Sequence, residues 1–279
     1  MRLSGWIAAG ALAFAAMGAR AQPARKPLVD PFPLRFPLAE AGSLEIEGHI
    51  AGQPRVQGGI VYFTTREGHL TAVVASSRSV LSRSSASPAD PGRPAQAGDL
   101  VLRTDADTLR AIDGRGQTAW EFKAEGAIAA DPVRAGRRIY FGDSERMFYC
   151  LDAATGKVRW RRRLQGAPVQ PAVVAGGRVA VAASNSVVYR LSATGGSILS
   201  WQAVPSRVIY ELAAAGPIVL ISSASPTVTA LDMRTGKTAG QYEASGSPVA
   251  GAVWSPPYVV LFVEDEASGR QKLVFLRSR

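Results

Sequence analysis

The stretch Met147-Phe148-Tyr149-Cys150-Leu151-Asp152-Ala153-Ala154-Thr155-Gly156-Lys157-Val158-Arg159-Trp160 decides how this chain folds. An apolar run ends at Leu151 and reads as a strand. The aspartate that follows can accept turn amides, and Gly156 can take positive φ without a Cβ clash, so the chain reverses tightly into a second strand over residues 157–164. Upstream, residues 131–135 and 138–141 are two more strand segments, separated by a turn at Gly136 and followed by a turn over 142–146. Four antiparallel strands therefore occupy one short unit.

That unit recurs. β-rich runs begin near Val61, Val101, Ile139, Val179, Ile218 and Val259, a spacing of about forty residues, which is the size of a four-stranded propeller blade. Related turns stand at Ile112-Asp113-Gly114-Arg115-Gly116 and Leu231-Asp232-Met233-Arg234-Thr235-Gly236, and the fourth unit keeps Leu191-Ser192-Ala193-Thr194-Gly195. Trp120, Trp160 and Trp201 each follow such a turn, where a large ring on an outer strand can cover the gap to the next blade. The expected fold is all-β: a β-propeller of about six four-stranded antiparallel blades. Its sixth unit supplies strands near 247–253, 258–263 and 271–276, and residues 44–50 alternate apolar and polar side chains. We expect that N-terminal strand to close the last blade, because an open ring leaves two unpaired edges.

Composition agrees with a packed β domain. The chain is 47% hydrophobic and 19% charged, too apolar for disorder, while 28 glycines and 18 prolines cut it into pieces too short for a helical bundle. At the start, Arg2, an apolar run from Trp6 to Met17 and Ala19-Arg20-Ala21 read as a signal peptide over residues 1–21, cleaved near Ala21. The run is too short for a transmembrane helix, which needs about 20 apolar residues. No cysteine follows that cleavage point, so there is no lipobox. Five prolines between Pro23 and Pro37 mark residues 22–42 as an extended tether, leaving 43–279 as the propeller domain. Export to the periplasm or beyond is the expected localisation, which makes nucleic acid an improbable partner. Removing residues 1–21 takes away Arg2 and Arg20 and lowers the net charge from +10 to about +8, which favours acidic partners or anionic envelope surfaces and fits simple colloidal solubility at least as well.

The order of an alternating strand, Leu-Asp, two residues, Thr-Gly-Lys and then Trp resembles the pyrroloquinoline-quinone-type (PQQ-like) propeller repeat over residues 43–279. That repeat is shared by quinone-dependent dehydrogenases and by non-catalytic envelope scaffolds of the BamB type. The resemblance implies eight blades, calcium, an aspartate base and often adjacent cysteines for the dehydrogenases. Here a single cysteine and about six units match the scaffold branch better, although BamB-like proteins are usually lipid-anchored and eight-bladed. The expectation is a non-catalytic, monomeric scaffold that binds an envelope protein, with outer-membrane protein assembly as one role and no cofactor. A small-ligand-binding propeller and a degenerate relative of the dehydrogenases are the alternatives.

The residues themselves supply little chemistry. Thr235-Gly236-Lys237-Thr238 has the ending of a phosphate loop but carries Leu231 where the first glycine belongs, so it reads as a repeat turn. No Gly-x-Ser-x-Gly elbow is present. His49 and His69 read as structural, and Cys150 as an inert core thiol. Asp105, Asp107, Asp143, Glu145, Glu264, Asp265 and Glu266 fall in turns between second and third strands and read as solvated hairpin residues rather than a cation site. Arg115, Arg137, Arg138, Lys157, Arg178, Arg234 and Lys237 fall in turns at the opposite end of the strands and form the candidate interaction surface of an electrically two-sided disc. Arg159-Trp160-Arg161-Arg162-Arg163 reads chiefly as a charged edge that resists sheet-to-sheet aggregation.

Overall fold

A computed structural model describes residues 33–85, 96–97 and 100–279. The expected signal peptide and most of the tether lie outside the described residues. The rest forms six four-stranded antiparallel sheets arranged as propeller blades. The first strand, β1 (Leu38–Glu45), belongs to the last blade. Blade one comprises β2 (Ile50–Gln57), β3 (Ile60–Thr65), β4 (His69–Val74) and β5 (Ser79–Ser85), and blade two β6 (Gln96–Ala97), β7 (Leu100–Asp105), β8 (Thr108–Ile112) and β9 (Thr118–Lys123). Blade three holds β10 (Val133–Ala135), β11 (Arg138–Gly142), β12 (Met147–Asp152) and β13 (Val158–Arg163), and blade four β14 (Val173–Ala175), β15 (Arg178–Ala183), β16 (Val187–Ser192) and β17 (Ile198–Ala203). Blade five runs through β18 (Ala213–Ala215), β19 (Ile218–Ile221), β20 (Thr227–Asp232) and β21 (Thr238–Glu243). Blade six runs through β22 (Ser247–Ser255), β23 (Tyr258–Glu264) and β24 (Gln271–Ser278), with β1 outermost.

The repeat turn works as its residues dictate. Asp152 Oδ1 accepts the amides of Ala154 and Thr155 at 3.0 and 3.1 Å, and Gly156, at φ +68°, donates its own amide to the Asp152 carbonyl. Asp232 repeats the pattern with Arg234 and Thr235. A register shift between third and fourth strands follows at the same place in blades one to five, at Val73, Ile112, Leu151, Leu191 and Leu231, so the turn and the bulge form one device.

Ring closure uses an earlier strand than expected. Leu38 to Glu45 pairs with Ser278 to Lys272, and Ile46 still donates to the Gln271 carbonyl. Residues 50 onward instead start blade one, with Ile50 paired to Thr65. The alternation over 44–50 was real but spans the junction of two strands. The last residues of the expected tether, from Leu38 on, are therefore sheet, and Leu34 already packs in the core between blades five and six.

Buried apolar side chains fill five junctions. Separate clusters join blades two and three, three and four, four and five, five and six, and six and one. Accordingly β11, β15, β19 and β23 bury their interiors on both faces, as strands sandwiched between neighbours must. Between blades one and two no such cluster forms among the described residues. There Tyr62 and Thr64 are half-buried, and Arg103 and Asp105, on the facing side of blade two, are exposed. Five of the six blade junctions are thus packed by apolar cores among the described residues.

Candidate functional site

Strand direction places the turns joining first to second and third to fourth strands at one end of the molecule. Backbone bonds tie the two turns within a blade, from Ala153 to the Arg137 carbonyl, Ala193 to Gly177 and Met233 to Pro217. All seven predicted basic residues are at this end. Arg115, Arg137, Lys157, Arg234 and Lys237 are exposed, while Arg138 and Arg178, which open β11 and β15, are half-buried with their Nε atoms unpaired. Arg78 joins them from blade one. A groove of about 350 Å³ between blades two and three is lined by Leu100, Arg134, Arg137 and Asp152.

Three aspartates share these turns, and each is engaged locally. Asp113 accepts the amides of Arg115 and Gln117, both at 2.9 Å. The Arg159 guanidinium beside Asp152, helped by the Ala154 and Thr155 amides, lowers its carboxyl to about 2. Asp232 binds the turn amides already described. The positive side chains therefore outnumber the acids and reach further into solvent.

The other end is not the acidic counterpart expected. Its turns hold Arg66, Arg146 and Arg270 beside the acids, and Arg163 and Lys123 point to it from the ends of their strands. Lys123 pairs with Asp107 at 3.5 Å, Arg110 with Asp105 at 3.2 Å, and Arg161 and Arg163 both with Glu125. The two-sided polarity is thus corrected to one basic end and one mixed end. The seven acids do not converge, and no cluster of metal-ligating side chains occurs among the described residues. Asp143 is fully buried, where it accepts Tyr149 Oη at 2.8 Å, the Met147 amide at 2.9 Å and the Gly126 amide at 3.1 Å, so it locks blade three to the segment entering it. His49 Nδ1 lies 2.9 Å from Glu67, and that hydrogen bond is the largest influence holding the Glu67 carboxyl at about 2. Burial pushes the Cys150 thiol up to about 11, which keeps it protonated and inert at neutral pH.

The tryptophans separate into two roles. Trp120 and Trp160 are buried, each lying over the turn glycine of the following blade, Gly156 or Gly196, and each donating Nε1–H at 3.2 Å to a carbonyl there, Ala153 or Ala193. Trp201 does neither. It is 65% exposed. Trp120 and Trp160 stand four residues after Gly116 and Gly156, whereas Trp201 stands five after Gly196, and one extra residue in a strand turns a side chain to the opposite face. Ser200 takes the bracketing position, and Arg190 supplies the bond, donating Nη1–H to the Met233 carbonyl at 3.0 Å. Counting from the turn glycine would have revealed this from sequence.

Trp201 sits on an unusual strand. Every other fourth strand carries charge, as Arg83, Glu121, Arg161, Glu243 and Glu45 show, but β17 reads Ile-Leu-Ser-Trp-Gln-Ala and exposes Ile198 and Leu199 besides Trp201. As the outermost strand it leaves a row of backbone donors and acceptors without a neighbouring strand. Uncharged edges of this kind accept another strand.

Against known proteins, the family model PQQ_2, described as outer membrane protein assembly factor BamB, matches residues 105–260, more than half of the chain. The chain belongs to this family. The BamB-family chain is similar in fold to BamB from Moraxella catarrhalis at 15% identity, with 85% of this chain and 99% of that one covered and a TM-score of 0.51. The computationally designed Ika8 protein aligns at 17% identity over 81% of this chain and 70% of that one, with a TM-score of 0.57. The propeller domain of Cps50 (Swd1) from Myceliophteria thermophila aligns at 11% identity over 85% and 99%, with a TM-score of 0.58. No curated protein sequence matches.

Proposed function

We propose that this BamB-family chain is a non-catalytic scaffold of the cell envelope, exported to the periplasm, that holds a protein partner during outer-membrane protein assembly and needs no cofactor. Family membership supplies the setting. The observation that carries a scaffold reading over an enzyme or a ligand binder is β17, a strand edge without charge that presents Trp201, Ile198 and Leu199 to solvent. A partner strand laid beside it gains main-chain hydrogen bonds, while the exposed indole acts as an anchor whose loss costs about 2 kcal/mol or more at a typical hot spot. The groove beside the first strands of blades five, six and one measures about 150 Å³, and Arg55 and Glu211 bond across it at 2.7 Å.

The test is recovery of the tagged chain from detergent-treated envelopes, with the partner identified by mass spectrometry. Capture of an outer-membrane assembly protein that falls at least tenfold with Trp201→Ala supports the reading. Capture insensitive to Trp201 and Leu199 substitutions overturns the docking edge. Tight binding of a small ligand with no protein recovered overturns the scaffold itself.

A further inference from the structure

We infer that the basic end of the propeller docks on the surface of an anionic phospholipid bilayer. Three independent observations meet there. The turns of that end carry Arg78, Arg115, Arg137, Arg138, Lys157, Arg178, Arg234 and Lys237 against Asp113, Asp152 and Asp232, and each of those aspartates is already bonded to the amides of its own turn. The charge that faces outward is consequently positive across blades one to five, a plane of charge rather than a pocket. Such a plane fits a surface whose negative groups are repeated and laterally mobile, with each cation near the headgroups strengthening binding about fivefold.

The second observation is what fringes the cations. Val80, Leu81, Val158, Ile198 and Leu199 are exposed in the first three residues of outer strands, directly after the basic turns, whereas Leu70 and Ile209 lie at or near the mixed end. Apolar side chains beside a plane of cations fit the boundary between headgroups and acyl chains, where both kinds of group are satisfied. Binding of this kind is superficial and weakens with salt.

The third is where the described chain starts. The Arg35 amide donates to Ser278 Oγ at 2.9 Å and the Arg279 amide to the Pro37 carbonyl at 3.2 Å, so residues 33–37 lie at the basic end beside the exit of β24. The sequence between the expected cleavage point and Pro33 carries Arg25 and Lys26 against Asp30, so the segment that joins the propeller at this end is itself net positive.

The experiment is co-sedimentation of the full chain with vesicles of phosphatidylcholine alone or mixed with phosphatidylglycerol, so that apolar binding common to both cancels. The expected result is excess binding to the mixed vesicles that disappears with added salt. It should fall about a hundredfold in Arg115→Gln/Arg234→Gln/Lys237→Gln, at roughly fivefold per charge. The same number of changes at the mixed end, Arg66→Gln/Arg146→Gln/Arg207→Gln, should leave it within about twofold, the small effect expected of charges turned away from the bilayer. Equal binding to both vesicle types, or equal loss in both triple variants, overturns the inference. Binding to soluble polyglutamate with none to mixed vesicles also overturns it, in favour of an acidic protein. These outcomes are independent of Trp201, so they leave the scaffold reading to its own test.

Discussion

Replacing Trp160 and Trp201 separately by alanine tests whether one residue of offset divides packing from recognition. Trp160 is 9% exposed, its ring lies 5.9 and 6.0 Å from those of Tyr140 and Phe148, it covers Gly196, and it bonds the Ala193 carbonyl. Removing it empties the junction of blades three and four and leaves the Ala193 carbonyl with the Tyr140 hydroxyl, at 3.0 Å, as its side-chain donor. Core Trp→Ala changes cost about 3–5 kcal/mol. For a domain of this size each kcal/mol moves the melting temperature by roughly 2–4 °C, so Trp160→Ala should melt about 6–20 °C lower. Trp201, 65% exposed, contributes little to the fold, and Trp201→Ala should stay within about 0.5 kcal/mol of the parent. Differential scanning calorimetry reads both. Comparable destabilisation by the two substitutions would refute the assignment of Trp201 to the solvent face.

Deleting residues 38–45 strips β24 of its partner and exposes an edge containing Leu273 and Phe275, so the sharp melt should broaden and light scattering should rise on heating; an unchanged melt would mean the ring does not rely on this closure. Cys150, fully buried and with its thiol raised to about 11, should resist alkylation in the native protein and react at once in denaturant, and rapid native labelling would contradict the core placement. The Asp152 carboxyl is lowered from 3.8 to about 2 by Arg159 and the turn amides, so its stabilising contribution is complete above 3.8 and disappears as pH falls through about 2. Asp152→Asn should therefore be less stable than the parent at neutral pH, with the two acid-unfolding curves converging over that window; a constant offset down to pH 2 would sink the linkage.

The repeat was legible because it is written in local chemistry. Asp, Gly and the third-strand apolar run each constrain the backbone within a few residues, and all three survive in Asp152 to Gly156 and Asp232 to Gly236 without help from distant contacts. The basic end was legible for a related reason: alternating strand direction alone decides which turns share an end. What escaped were properties set by register. Residues 44–50 alternate as a strand should, yet Glu45 ends one strand and Ile50 begins another. Alternation reports a face and not a partner. The acids of the mixed end had the right location, but side-chain reach decides their fate, and Arg110 reaches Asp105 while Lys123 reaches Asp107. The lack of an apolar cluster between blades one and two among the described residues was written in Tyr62, Thr64, Arg103 and Asp105, which alternate with buried Val61, Phe63 and Leu102.

The two surfaces assigned here do not compete, and that follows from propeller geometry. Turns occupy the ends of the strands, whereas the outer strand of each blade runs between the ends along the rim. A bilayer against the basic turns leaves the edge of β17 facing sideways, open to a strand presented from beside the molecule. Binding to one surface should therefore leave the other unchanged. Trp201→Ala is expected to retain full excess binding to anionic vesicles, and Arg115→Gln/Arg234→Gln/Lys237→Gln is expected to retain partner capture in detergent, where no bilayer remains. Loss of both activities in either variant would mean that the partner itself bridges end and rim, and the assignment of separate roles would fail.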